Sequence, residues 1–167
     1  MNAVVTKSRE IYLGLSDLLN KLEPLALLGA RLLVARVFWM SGLGKVNTVD
    51  FLGLRLPTFD MQGSTYYLFR SEFFPDLSPG LAKLAAIGAA TGELTLPLLL
   101  VFGIFTRVGA LGLLVMTLVI QIFVFPDVWW SVHAWWAAIL FILIAKGPGA
   151  ISLDNVLGLT RKSAPQE

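Results

Sequence analysis

Arg36 stands in the apolar stretch Leu25–Val46 and Glu93 in the apolar stretch Leu81–Phe102. A charge at the centre of a bilayer costs about 2.5–3.5 kcal/mol even on an insertion scale. Arg36 lies eleven residues into a helix running one way, and Glu93 twelve residues into one running back. Opposite signs at matching depth are therefore expected to pair. Such a pair has two readings. It can be a salt bridge that locks two helices, or a polar centre lining a cavity that binds a headgroup or relays a proton. Pro97 favours the second, because a proline four residues after Glu93 removes the helical partner of the Glu93 carbonyl. A freed carbonyl at membrane depth must be satisfied by a neighbour or by water.

Three further side chains belong with this pair as ligand-binding or proton-relay candidates. Gln121 is the strongly polar residue deep in the stretch Val108–Phe125 and is expected to hydrogen-bond a neighbouring helix. His133, the only histidine, stands among tryptophans at the start of the stretch Val132–Ala145. It reads either as a hydrogen-bonded structural residue or as the side chain suited to proton exchange near neutral pH. Lys45 ends the first stretch, nine residues and so about 180° of helix from Arg36. The two share a site only if Gly42 and Gly44 let the helix end bend. Ala85, Gly88, Ala89 and Gly92 make a small-residue face whose plain reading is helix packing.

These residues need membrane helices to hold them. The chain has 167 residues, 56% hydrophobic and only 14% charged, against about 25% charged in a soluble domain. Four apolar stretches near the twenty residues or so that cross a bilayer give an all-α, integral membrane four-helix bundle. Gly103–Arg107 is so short a link that the second and third spans must form an antiparallel hairpin. Trp129 and Trp130 are needed to bring the fourth span to full length. A net charge of +2 without a basic patch argues against nucleic acid. Without cysteine the chain has no thiol chemistry, and one histidine with scattered carboxylates makes no metal ligand set. Any redox role needs a non-covalent cofactor, a bound substrate or a partner to carry electrons.

Lys7, Arg9, Lys21, Arg107, Lys146, Arg161 and Lys162 fall on one side, against Arg55 and Arg70 on the other with Lys45 and Lys83 at its border. That bias predicts cytoplasmic termini. Ile11, Leu15, Leu18 and Leu22 recur at helical spacing, which predicts an amphipathic interfacial helix over 1–24 or a simple solvated one. The transmembrane domain spans 25–154, and 155–167 form a polar cytoplasmic tail. The long outer loop Asn47–Gly80 carries Phe51, Phe59, Tyr66, Tyr67, Phe69, Phe73 and Phe74. So many rings are expected either to roof the bundle or to lie in the headgroup zone.

The ordered set of Arg36 with Ser41-Gly42-Leu43-Gly44-Lys45, Gly92-Glu93, Gly103–Ala110, His133 and Gly147–Asp154 resembles the DoxX family of small four-helix membrane proteins. The resemblance covers roughly residues 29–154. It implies a bundle associated with oxidoreductase systems, relatives including the membrane subunit of a thiosulfate:quinone oxidoreductase. The chain is then expected in the bacterial inner membrane as a subunit of a quinone-linked oxidoreductase, not catalytic alone. Arg36, Glu93, Gln121, His133 and Lys45 would contact quinone or move protons. Its partners would be the bilayer, a redox protein and a further copy of itself. The rival reading is a non-catalytic membrane anchor or assembly factor whose ion pair is structural.

Overall fold

The computed structural model describes residues 3–160; the tail 161–167 and the side chain of Phe59 lie outside the described residues. Among the described residues four helices are long and apolar enough to cross a membrane, Glu23–Leu43, Pro79–Phe102, Thr106–Val124 and Pro126–Lys146. Helix is the form an apolar segment takes in lipid, because it satisfies its own backbone polar groups. The elements in chain order are α1 (Ala3–Asn20), α2 (Glu23–Leu43), strands β1 (Val46–Phe51) and β2 (Leu54–Met61), α3 (Gly63–Leu68), α4 (Pro79–Phe102), α5 (Thr106–Val119), α6 (Ala134–Lys146) and α7 (Leu153–Val156). Single π-helical turns follow α3 (Phe69–Phe73), extend α5 (Ile120–Val124) and precede α6 (Trp129–His133).

Local chemistry sets the helix ends. Pro24 lies in the first turn of α2, where its missing N–H costs nothing. Ser78 caps α4 by accepting the Leu81 N–H at 3.4 Å, and Gly103 ends it in the left-handed conformation at φ +66°. The 3₁₀ turn Pro126–Val128 and the π turn after it draw Trp129 and Trp130 into the fourth span.

Around the bundle α2 packs on α4 and α6, while α5 packs on α4 and α6. Leu27, Val34, Ala35 and Phe38 of α2 meet Leu100, Ala110, Leu113, Leu140 and Leu143 in one apolar core. The α4–α5 seam is close because glycines form it. A Cβ on Gly109 would lie 2.7 Å from Leu100, and one on Gly112 would lie 2.8 Å from Leu96.

The loop between α2 and α4 departs from the expectation of irregular chain. β1 and β2 form an antiparallel hairpin pairing Val49 with Leu56, Asp50 with Arg55 and Phe51 with Leu54. Leu52 and Gly53 turn the hairpin with φ of 49° and 78°, the two positive values that a tight primed turn demands. The alternation that makes these strands is only a few residues long, and Pro57 obscures it. α1 is helical over Ala3–Asn20, and Ile11, Leu15, Leu18 and Leu22 are each more than half exposed. The expected tail begins inside α7, whose Asp154 is buried.

Candidate ligand-binding cavity

Glu93 is 2% exposed, and its partner is not Arg36. Lys45 Nζ donates to Glu93 Oε2 at 2.6 Å and to Ser41 Oγ at 2.9 Å, while Ser41 donates to Glu93 Oε1 at 3.1 Å. The three side chains close a triangle. One glycine and a tightened turn make it. A Cβ on Gly42 would stand 2.9 Å from Leu94 and 3.1 Å from the Glu93 Cβ, so only glycine lets α2 approach α4 at this level. Past Leu43 the chain tightens, the Lys45 N–H bonding to the Gly42 carbonyl at 3.0 Å. That 3₁₀-type turn brings the ammonium over Ser41.

The expected Arg36–Glu93 pair is thereby corrected. Arg36 is exposed on the outside of α2. The buried arginine of that helix is Arg31, 1% exposed, five residues earlier and about 140° around. Arg31 serves the opposite end of the bundle, where Nη2 donates to the Ile151 carbonyl while Nε and Nη1 have no protein partner. Beside it Asp154 accepts the Phe105 and Thr106 N–H groups at 2.8 and 3.0 Å and gives its own N–H to the Gly103 carbonyl at 2.8 Å. Arg31 was legible in principle. It stands fourteen residues before Lys45, near four helical turns, on the stripe shared with Leu27, Val34 and Phe38.

Gln121 and His133 do meet. His133 Nδ1 lies 2.6 Å from Gln121 Oε1, and the Gln121 amide nitrogen donates to the Pro126 carbonyl. The carbonyl of Pro126 can only accept, so it fixes the amide with Oε1 toward the imidazole. Nδ1 therefore carries a proton, and in the neutral imidazole Nε2 keeps its lone pair. Each residue sits in a π turn, a local winding that re-aims a side chain relative to the α-helix and is frequent at functional sites. Trp136 packs edge-on against His133 at 5.0 Å between centroids and against Phe38 at 5.6 Å.

Both polar groups line one cavity of about 430 Å³ between α2, α4, α5 and the fourth span, within the usual range for a small-molecule site. Phe69, Phe73 and Phe74 line it from the loop. Phe73 stacks edge-on with Phe125 at 6.3 Å, and Phe74 lies 5.9 Å from Phe123. This half of the loop therefore covers the cavity, whereas Phe51 and Tyr67 are exposed. Of the five candidate residues, Lys45, Glu93 and His133 line the cavity, Gln121 holds His133 from behind, and Arg36 lies apart.

The family model DoxX matches residues 26–126, more than half of the chain. The chain belongs to the DoxX family. The matched region carries Ser41, Lys45, Glu93 and Gln121 of this DoxX protein, and His133 lies beyond it. No curated protein and no solved structure matches the chain. It is a multi-pass membrane protein by family and by its four apolar helices.

Proposed function

We propose that this DoxX protein binds a quinone-type headgroup in the 430 Å³ cavity, as the membrane subunit of a redox system. The observation that carries the reading is one aromatic-walled cavity presenting a hydrogen-bond donor and an acceptor together. Lys45 has three N–H donors and uses two of them on Ser41 and Glu93. The third suits a carbonyl oxygen. His133 Nε2, its tautomer held by Gln121, suits a hydroxyl. A quinone bound there would supply uptake and release of two electrons and two protons. The protein's part is to recognise both forms of the headgroup, to hold Lys45 in position through Glu93, and to supply flat walls from Phe38, Phe69, Phe74 and Trp136. The basic-residue bias supports an orientation with the hairpin end outside and the termini cytoplasmic, in the bacterial inner membrane that the family resemblance implies.

Binding tests this directly. A short-chain benzoquinone is titrated into the full-length protein in lipid nanodiscs, following quenching of tryptophan fluorescence. The expected result is saturable quenching, weakened about tenfold or more by Lys45→Met and by Glu93→Gln. An absence of saturable binding to the wild-type protein refutes the reading.

A second reading, an anchor for a partner protein, is supported by the hairpin, where Val49, Phe51, Leu54 and Leu56 form one exposed apolar face. The same titration separates the two, because an anchor alone binds no quinone.

A further inference from the structure

We propose that the cavity opens sideways into the hydrocarbon between α4 and α5, so that its ligand carries an apolar tail that remains in the lipid. This rests on the reading of the cavity as a ligand site and adds the route and the class of molecule. The two helices are zipped in the half of the bundle away from the hairpin. There Gly112 packs on Leu96 and Gly109 on Leu100, and a Cβ on Gly92 would already stand 3.0 Å from the Met116 sulfur. One turn nearer the hairpin the seam parts. A Cβ on Gly88 would meet nothing within 4 Å, so the helix-packing reading of this small-residue face fails at Gly88 while Gly92 keeps it.

The residues around this gap belong to two surfaces at once. Gly88 on α4 and Val115 and Val119 on α5 line the cavity, yet all three are exposed, whereas lining residues such as Phe38 and Phe69 are buried. Wall residues that stay exposed mark where the cavity is open. The hairpin end is covered instead, by the Phe73–Phe125 and Phe74–Phe123 ring pairs. The opposite end is filled by core side chains such as Leu100 and Leu113, both fully buried. The open path thus runs through hydrocarbon. A molecule that takes it must be lipid-soluble, while the head that reaches Lys45 and His133 must be polar. A ring or headgroup on an isoprenoid or acyl chain meets both conditions.

The test closes the gap without touching the polar groups. Gly88→Phe adds a ring where there is open space, and Val119→Phe narrows the gap from the other helix. Each full-length protein, in nanodiscs, is titrated with a decyl-substituted benzoquinone and with the same ring bearing methyl in place of decyl. Circular dichroism and gel-filtration elution confirm the fold. The expected result is that both variants bind the decyl probe about tenfold more weakly than wild type and lose clearly more affinity for it than for the methyl probe. Unchanged binding of the decyl probe overturns the opening but leaves the cavity reading intact. Equal loss of both probes also overturns it, since the new ring would then fill the site itself. Failure of the wild-type protein to bind either probe overturns the cavity reading and the opening with it.

Discussion

The two ends of this bundle bury charge in different ways. At the hairpin end, the ammonium of Lys45 and the carboxylate of Glu93 meet beside a cavity, and each retains or borders unused hydrogen-bonding capacity. At the other end, Asp154 spends both oxygens on the first N–H groups of α5, and Arg31 reaches the Ile151 carbonyl next to Gly103. There the charges serve the backbone. They complete a helix N-terminus and tie the segment after α6 to the α4–α5 turn. Asp154 also borders a cavity, of about 630 Å³, but both its oxygens are committed to backbone N–H groups, so the first end is read as the site and the second as a clasp.

The contrast can be broken most strongly at Gly103. Its φ is +66°, and a Cβ there would collide with the Arg31 guanidinium and stand 2.6 Å from the Ser152 Cβ. Gly103→Ala adds the cost of a left-handed alanine, about 1–2 kcal/mol, to that clash. The expected outcome is the largest loss of stability in this set, read as the fall in denaturation midpoint in detergent. A wild-type midpoint would mean that the clasp does not hold the turn.

Gly42→Ala acts at the other end and sharpens the comparison. Its Cβ would press on Leu94 and Glu93, and overpacking of this kind costs about 1–3 kcal/mol. Because the strain falls on the Glu93 triangle, quinone affinity is expected to drop as well, whereas partial destabilisation at Gly103 leaves the affinity of the folded fraction unchanged. Equal affinity in Gly42→Ala and wild type would separate the triangle from the site.

Arg36→Gln gives the smallest effect. The side chain is exposed and makes no hydrogen bond or salt bridge among the described residues. Neither the denaturation midpoint nor the quinone titration is expected to move, and a loss of binding would return Arg36 to the site.

Much of the architecture was legible without coordinates. The spans follow from runs of apolar residues, and hydropathy sums locally along the chain. Gln121, His133, Glu93 and Lys45 were each identifiable as polar groups in costly places. The error was in the pairing. Arg36 and Glu93 were matched by depth alone, and depth ignores rotation about the helix axis. Arg31 lies in the same stretch on the face turned to the core, and depth alone does not single it out. The hairpin was missed because its strands are short and interrupted by proline.

The amino-acid sequence by itself determined that four helices cross a membrane, where they begin and end to within about three residues except at the start of the fourth, which lies at Pro126 and not Val132, and that ionisable groups are carried into the bilayer. These properties depend on composition over a helix length. Tertiary structure decided which charge meets which, through the close approach at Gly42 and the tightened turn that returns Lys45 over Ser41. It also decided that a gap at Gly88 adjoins those charges. Both outcomes depend on helix rotation and on the spacing between helices, which are set by side chains far apart in the chain.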